Sequence, residues 1–466
     1  MAEEDSLGIG LAQLVAQYVK EFTHSVIPCR LCSAETGQPH GAVQYPQFKR
    51  RAAMKFMFFF YPAIPASMEA REQLRPIARR TDRFQRMLDE VVELSQMAEG
   101  LGYAAVTFPE HHLHTEGGEM GSLPLLTQHV LANTKKIMAG PIGYVLPGWN
   151  PLRLALEIAW LDQITKGRSF CGFARGYQAR WLNPMAQHLH VTAADLHTKE
   201  GAPTTDSINR EAFQEVFEIL KLAWKDGAFR FKGKYYEYPY PYETGTPWPA
   251  HDWTRQYGSP GEVDDAGNVQ MIEVVPKPYT KPHPMLFQAF SQSEGTIRWC
   301  AKEGIIPTLL TSDLKDLRNF CEIHVEEAAK FGRTLKLGEN MGVFRGVYMA
   351  DNKVKARELA MRGLMGTGWP GWAHDFGFTD AFRNPEDDIK YPKQSLPKSE
   401  ATMERFENKH FLLTGNADDV RREMDLLVEH ANPEWFIWQG DQGYLPLDEV
   451  KRMLERFARE VMPHYM

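Results

Sequence analysis

Two kinds of hydrophobic pattern alternate along the chain from Met54 onward. Continuous apolar runs of strand length, such as residues 55–61, show no polar alternation, which is typical of strands covered on both faces. Longer stretches between them carry apolar residues at helical spacing, as Leu154, Ile158 and Leu161 do. The pattern predicts strands at 55–61, 104–108, 137–146, 169–174, 284–290, 305–310, 341–349 and 434–439, with helices between most of them.

This alternation predicts an α/β fold. Eight buried strands separated mostly by helices are typical of a (β/α)₈ barrel, also called a TIM barrel. A doubly wound parallel sheet is the alternative that the pattern leaves open. In both folds, ligands bind at the carboxyl ends of the strands, so candidate site residues are sought there.

Three segments interrupt the strand–helix alternation. Residues 1–53 are predicted to form an N-terminal extension, and residues 54–466 the barrel domain. Within the barrel domain, residues 239–284 are rich in Pro, Tyr and Gly, and residues 366–400 are rich in Gly, Trp and charged side chains. Long loops in compact domains are commonly lids or binding loops. We therefore expect both insertions to line or cover the substrate pocket.

Composition narrows the class of protein. The 466 residues are 43% hydrophobic, which is enough for a large core, and the net charge of −7 argues against nucleic acid as a partner. No apolar run approaches the roughly 20 residues that span a bilayer, and the acidic N-terminus lacks a signal pattern. Five cysteines are too sparse for a disulfide framework, and the CxxC at 29–32 has no second CxxC for a zinc site. We expect a soluble, cytoplasmic protein without membrane contact.

Candidate acid–base chemistry follows the second predicted strand. Glu110, His111 and His112 come first, with His114 and Glu116 close behind. Histidine exchanges protons near neutral pH and suits general acid–base catalysis, although loop histidines that bond backbone or water are the plain alternative. The cluster resembles a metal site, but the helical HExxH spacing is absent, so no metal is predicted.

Candidate anion-binding groups follow two other strands. Arg175 comes after the fourth strand, and a guanidinium can hold a phosphate through two hydrogen bonds. Ser293 and Thr296 follow the fifth strand at a helix start, where hydroxyls and backbone N–H groups make an anion cradle. An ordinary salt bridge and an ordinary N-cap are the alternatives. There is no GxGxxG after a strand and no Walker motif, which argues against Rossmann and P-loop enzymes.

The order of these segments is more specific than any one of them. The motif EHH is followed by GPIGYVLPGWNPLRLALEIAWLDQITKGRSFCGFARGY and later by HPMLFQAFSQSEGTIRWCAKEG. With these motifs in this order, the chain resembles the bacterial luciferase-like flavin-dependent monooxygenases over most of its length. The extension and the two insertions lie outside the resemblance.

The resemblance implies an activity and its partners. It implies a TIM barrel that binds reduced FMN at its carboxyl face and uses O₂ to oxidise a small organic substrate. It also implies a separate NAD(P)H:flavin reductase and, from the habit of the family, a homodimer. A deazaflavin- or flavin-dependent reductase of the same superfamily and a non-catalytic flavin-binding relative stay open as alternatives.

The resemblance also assigns roles near the flavin ring. His111 aligns with the family's active-site histidine and is the predicted catalytic residue. Ile142 and Gly143 match the place of a non-proline cis peptide under the ring. Ala174 occupies the position beside the ring where luciferase has a reactive cysteine.

The remaining assignments concern the phosphate and the substrate. Arg175 aligns with the arginine near the flavin phosphate, and Ser293 and Thr296 align with hydroxyl residues of its cradle. Gln292 falls where luciferase carries an acidic residue. The predicted site is completed by Gly176 and Tyr177 for the cofactor and by Glu110, His112 and Trp149 for the substrate pocket.

Overall fold

The computed structural model describes residues 53–118, 121–194, 203–392, 394–441 and 443–466. The predicted N-terminal extension, apart from Ala53, lies outside the described residues. No described helix is both long enough and apolar enough to cross a membrane.

The strands form one large parallel sheet and two small hairpins. In chain order they are β1 (Lys55–Phe59), β2 (Ala105–Phe108), β3 (Met138–Pro141), β4 (Tyr144–Val145), β5 (Phe170–Ala174), β6 (Phe231–Lys232), β7 (Glu237–Tyr238), β8 (Thr246–Pro247), β9 (Asn268–Val269), β10 (Met285–Ser291), β11 (Ile306–Leu309), β12 (Gly342–Met349), β13 (Leu412–Gly415) and β14 (Trp435–Gln439). The hairpins are β6 with β7 and β8 with β9.

The large sheet closes into a barrel. Its strands are hydrogen-bonded in the order β3, β2, β1, β14, β12, β11, β10, β5 and β4, and every pairing is parallel. A parallel bridge between Ala139 and Ser169 joins β3 to the chain entering β5 and closes the ring. Since β3 and β4 together fill the place of one predicted strand, the (β/α)₈ prediction is confirmed and the doubly wound sheet is excluded. β13, which the apolar pattern did not predict, pairs with β12 outside the ring.

Helices surround the barrel. They are α1 (Met68–Gln73), α2 (Thr81–Gly100), α3 (Leu123–Ala132), α4 (Pro151–Thr165), α5 (Ala179–Met185), α6 (Pro203–Trp224), α7 (His251–Tyr257), α8 (Glu294–Glu303), α9 (Leu314–Lys330), α10 (Lys353–Ala360), α11 (Trp369–Asp375), α12 (Pro385–Lys390), α13 (Met403–Asn408), α14 (Ala417–His430) and α15 (Leu447–Glu460).

Helix α4 shows how local sequence sets these elements. Asn150 caps it, because its side-chain oxygen accepts a hydrogen bond from the Arg153 N–H, and proline fills the first helical position. Leu154 and Ile158 are buried against the sheet as the spacing predicts, whereas Ile164, at the same spacing, is 55% exposed. The helix ends at Thr165, and Lys166 follows in the left-handed region with a φ of 53°.

Aromatic side chains fill the barrel interior. The Phe287 ring lies 5.2 Å from the Phe170 ring and 5.4 Å from the Trp435 ring. Nearer the carboxyl ends, the Phe344 ring lies 5.3 Å from the Phe59 ring. Burying each of these side chains contributes roughly 1.5–3 kcal/mol, so the barrel is a packed core that supports a site at its mouth.

The C-terminal part of the insertion at 239–284 packs at the end of the barrel away from the strand carboxyl termini. The Thr280 N–H donates to Asp162 Oδ2 at 2.7 Å, and Gln163 Nε2 donates to the Lys277 carbonyl at 2.9 Å. Asp162 and Gln163 lie in the last turn of α4, which runs antiparallel to the strands and therefore ends at the amino side of the barrel. The part of this insertion that contains Lys277 and Thr280 therefore lies at the opposite end of the barrel from the strand carboxyl termini.

Candidate functional site

A cavity of about 290 Å³ lies at the carboxyl ends of the strands from β2 to β5 and of β10. It brings together side chains from positions far apart in the sequence. Eleven of the predicted site residues line it, namely Glu110, His111, Ile142, Gly143, Ala174, Arg175, Gly176, Tyr177, Gln292, Ser293 and Thr296.

The floor of this cavity depends on two glycines in close contact. The peptide between Ile142 and Gly143 is cis, in the place that the family resemblance predicts. A Cβ on Gly143 would lie 2.3 Å from the carbonyl carbon of Gly172, and a Cβ on Gly172 would lie 2.6 Å from the Pro141 carbonyl oxygen. Neither position has space for a side chain, so β4 and β5 approach closely and leave a bare backbone surface toward the cavity.

Glu110 fixes the segment that follows β4. Its carboxylate is 3% exposed and accepts hydrogen bonds from the Val145 N–H at 2.5 Å and from Trp149 Nε1 at 2.9 Å. His112 Nε2 lies 2.8 Å from the same carboxylate. Glu110 therefore acts as a common acceptor that ties β2 to the 145–149 segment. His112 and Trp149, predicted as substrate contacts, bond to Glu110 and are not among the described residues that line the cavity.

His111 lies at the inner side of the cavity and is 6% exposed. Its Nε2 is 3.2 Å from the Tyr177 hydroxyl, and its ring stacks on the His114 ring with 5.7 Å between centroids. Burial, followed by the nearby His114 and His112, holds the pKa of His111 well below its usual value. The imidazole is therefore neutral at pH 7, and with Tyr177 it can accept or donate a proton at Nε2.

Two arginines and one aspartate converge at the outer end of the cavity. Arg175 Nη1 donates to Asp206 Oδ1 at 2.7 Å, and Arg210 Nη2 lies 3.9 Å from Asp206 Oδ2. Burial and the charge of Arg175 lower the pKa of Arg210. Neither Asp206 nor Arg210 was predicted as a site residue, because they lie on α6 and only the fold brings this helix over the end of β5.

Hydroxyls at the start of α8 face the same end of the cavity. Ser293 caps the helix, with its Oγ 3.3 Å from the Thr296 N–H and 3.0 Å from Thr296 Oγ1. The ordinary N-cap is therefore present, and a cap does not prevent the first helical N–H groups from facing a ligand. Together with Arg175 and Arg210, they form a cationic, hydroxyl-bearing cradle of the kind that binds phosphate.

An irregularity in β10 shapes the wall beside the cradle. The pairing register with β11 shifts between Gln288 and Ser291, and Phe290 has a φ of 46°. The shift turns Gln288, Ala289 and Phe290 toward the cavity. Gln288 is 6% exposed, and its Oε1 has no hydrogen-bond partner among the residues that the structure describes. The apolar pattern of β10 contained no signal for this bulge.

These groups fit flavin mononucleotide. The cradle suits a phosphate at one end, and the glycine floor with the apolar side chains of Ile142 and Ala289 suits a flat ring at the other. The buried Gln288 carbonyl requires a donor, and a flavin ring N–H would be a suitable one. Within the described residues, no three histidine, cysteine, aspartate or glutamate side chains group as metal ligands.

A smaller cavity of about 30 Å³ adjoins the first toward the barrel axis. The two share Pro109, His111, Tyr177, Phe290 and Phe378. No aspartate, glutamate, lysine or arginine is among the described residues that line the inner cavity, where Gln439 Nε2 donates to the Tyr61 hydroxyl at 2.9 Å.

The insertion at 366–400 covers the inner cavity with aromatic side chains. The Tyr177 ring is 5.6 Å from Trp372, 5.0 Å from Phe376 and 4.9 Å from Phe378. Trp369, Trp372 and Phe378 also line the inner cavity. This insertion lies where we expected it, over the residues predicted to carry the chemistry.

Comparison with known proteins agrees with these observations. A family model described as luciferase-like monooxygenase matches residues 54–431. The 3,6-diketocamphane 1,6-monooxygenase of Pseudomonas putida is 26% identical over 348 residues, which cover 73% of this chain and 83% of that protein. Two solved structures share the fold. The FMN complex of the oxygenating constituent of 3,6-diketocamphane monooxygenase from Pseudomonas putida, a type II Baeyer–Villiger enzyme, superposes with a TM-score of 0.64 at 21% identity and covers 89% of this chain and 99% of its own. The coenzyme F420-dependent tetrahydromethanopterin reductase of Methanopyrus kandleri has a TM-score of 0.53 at 14% identity and covers 90% and 100%.

Proposed function

Because the chain belongs to the luciferase-like monooxygenase family and is an oxidoreductase of that family, we propose that it uses reduced FMN and O₂ to insert one oxygen atom into a small organic substrate. The observation that carries this proposal is the arrangement of the main cavity. A phosphate cradle, a side-chain-free floor and a buried neutral histidine lie along one cavity at the strand ends.

The residues of the cradle would bind and orient the cofactor. Arg175 and Arg210 would neutralise the phosphate, and Ser293 and Thr296 would donate hydrogen bonds to it. Gln292 lies at the same end of the cavity. Ile142, Gly143 and Ala174 would contact the ring. Gly176 allows the chain after β5 to pack closely against Val145, because a Cβ there would lie 2.4 Å from Val145 Cγ1.

When bound, reduced FMN supplies the electrons that activate dioxygen. His111 and Tyr177 would hold or move a proton at the 3.2 Å contact between imidazole Nε2 and hydroxyl. The aromatic insertion would exclude water from this contact. Exclusion of water favours transfer of oxygen to the substrate over oxidation of the cofactor without product.

The inner cavity supports a substrate that is uncharged and largely apolar. Burying a charged group there would be costly because no charged side chain lines it. At about 30 Å³ it is too small for an organic molecule, so the substrate would displace Trp372 or extend from the main cavity. Cyclic ketones, to which the diketocamphane of the relative's name belongs, meet these requirements and are the first compounds to test.

The partners follow from the same proposal. A separate NAD(P)H:flavin reductase would supply reduced FMN, which agrees with the naming of one relative as the oxygenating constituent of its monooxygenase. We further propose a homodimer, on the resemblance alone, and a cytoplasmic location, on the sparse cysteine content. The domain division into an extension at 1–53 and a barrel at 54–466 likewise stays a prediction.

The decisive experiment mixes the protein with reduced FMN without oxygen, admits oxygen in a stopped flow, and follows flavin absorbance. We expect a spectral species that is neither reduced nor oxidised FMN and that outlasts the reoxidation of free FMN. A variant that leaves the cavity intact should behave as the native chain does. Arg153→Ala is such a variant, because it removes an exposed arginine that pairs with Glu157 outside the cavity. Reoxidation identical to that of free FMN would refute the monooxygenase proposal, and oxygen-independent turnover with a deazaflavin would favour the reductase alternative.

A further inference from the structure

The phosphate cradle contains an aspartate that forms an ion pair with one of the cradle's own arginines. Among the described residues that line the main cavity, Glu110 and Asp206 are the two carboxylates. Glu110 is engaged with Val145 and Trp149 at the inner part of the site. Asp206 lies instead at the outer end, where its Oδ1 accepts a 2.7 Å hydrogen bond from Arg175 Nη1.

The net charge of Arg175, Arg210 and Asp206 does not favour tight binding of a phosphate dianion. Arg175 and Arg210 carry two positive charges, and the carboxylate of Asp206 cancels one of them. A phosphate monoester carries about −1.5 to −2 charges at pH 7. Phosphate oxygens would compete with Asp206 for the same guanidinium N–H groups and would repel its carboxylate at short range.

We propose that Asp206 is an internal competitor for the flavin phosphate, which lowers the affinity of the site for FMN so that the cofactor exchanges between turnovers. This inference rests on the proposed function, because it assumes that the cradle receives FMN. A cofactor supplied by a reductase must enter the site reduced and leave it oxidised. The Asp206 carboxylate can take the place of the phosphate on Arg175, which lowers the barrier to release of FMN.

Asp206→Asn tests the proposal, since asparagine keeps the shape of the side chain and removes its charge. In isothermal titration of the full chain with oxidised FMN, we expect roughly five- to tenfold tighter binding, because one charge-assisted contact no longer has to be displaced. The dissociation rate of FMN should fall by a similar factor. Riboflavin, which has the ring without the phosphate, should bind both chains equally, and inorganic phosphate should compete with FMN more strongly in the variant.

Asp252→Asn is the matched control. Asp252 also pairs with an arginine, at 2.6 Å to Arg255, but it lies in the insertion away from the cavity. Its replacement should leave FMN affinity unchanged.

Three results would overturn this proposal without affecting the proposed function. Weaker FMN binding in Asp206→Asn would mean that Asp206 positions Arg175 for phosphate. Unchanged binding would mean that Asp206 and the phosphate do not share a partner. An equal gain for riboflavin would place the effect away from the phosphate. If neither chain bound FMN while both still bound inorganic phosphate, the proposed function would fail together with this inference.

Discussion

Replacing Glu110 by glutamine tests whether one buried carboxylate holds the 145–149 segment in place. In the native chain, this carboxylate accepts from the Val145 N–H through one oxygen and from Trp149 Nε1 through both, and His112 Nε2 bonds to it as well. Glutamine keeps one acceptor oxygen and presents an NH₂ group in place of the other. With the amide oxygen at the Oε2 position, the Val145 N–H keeps its acceptor, and the indole N–H keeps its 3.1 Å contact while facing the NH₂ group in place of its 2.9 Å acceptor. With the amide turned the other way, the Val145 N–H faces the NH₂ group.

The expected cost follows from these contacts. Placing an NH₂ group against a buried N–H in place of an acceptor oxygen costs about 1–3 kcal/mol, and the remaining bonds lose the contribution of the negative charge. We expect Glu110→Gln to lower the free energy of unfolding by about 3 kcal/mol. In a barrel of this length, with an unfolding entropy of about 2.1 cal/mol/K per residue, this corresponds to a fall in melting temperature of roughly 3–4 °C.

Calorimetry and FMN titration together measure this effect. Because Val145 borders the cavity, FMN affinity should fall along with the melting temperature. Glu116→Gln is the control, since Glu116 is 55% exposed and pairs with Arg180 at the surface, and it should change the melting temperature by less than about 1 °C. A Glu110→Gln protein with native melting temperature and native FMN affinity would refute the view that this carboxylate fixes the segment.

Three further predictions follow from other contacts. Arg175→Ala should weaken FMN binding by roughly 10- to 100-fold in titration calorimetry and leave riboflavin binding unchanged, and equal losses for both ligands would contradict the phosphate assignment. Burial lowers the pKa of His324 from 6.5 to about 4. Because the unfolded chain binds more protons than the folded chain between these pH values, the free energy of unfolding should decrease by up to about 3 kcal/mol as the pH falls from 6.5 to 4. Chemical denaturation at several pH values should show a flatter dependence for His324→Gln, and an unchanged slope would assign the effect to other groups. Trp372→Ala should enlarge the inner cavity and increase the affinity for bulkier neutral substrates in equilibrium binding, at a stability cost of about 2 kcal/mol for a half-buried ring; unchanged selectivity would place the substrate elsewhere.

The fold was accessible from sequence because barrel strands buried on both faces give continuous apolar runs. The structure places a strand in each of the eight predicted stretches. The apolar pattern did not predict the interruption between β3 and β4 at Ile142–Gly143, because apolar residues continue through it. β13 was not predicted, because its apolar run ends at Leu413 and the strand is completed by Thr414 and Gly415.

The site was predictable only where the chain itself joins residues to strand ends. Residues such as Arg175 directly follow a barrel strand, so topology alone brings them to the cavity mouth. Asp206 and Arg210 lie on α6, and their contact with Arg175 depends on how that helix packs. For the same reason, the side of the barrel taken by the C-terminal part of residues 239–284 could not be predicted, since it depends on contacts such as Thr280 with Asp162.

The aromatic cover of the inner cavity also places natural fluorophores beside the proposed cofactor site. Of the 11 tryptophans in the chain, Trp372 has its ring 6.1 Å from that of His111. Oxidised flavin absorbs in the range where indole emits, so light absorbed by Trp372 would pass to a flavin in the adjoining cavity. The intrinsic emission of the unlabelled protein should therefore decrease as the site fills and recover as it empties, which makes each cycle of cofactor exchange directly visible in real time.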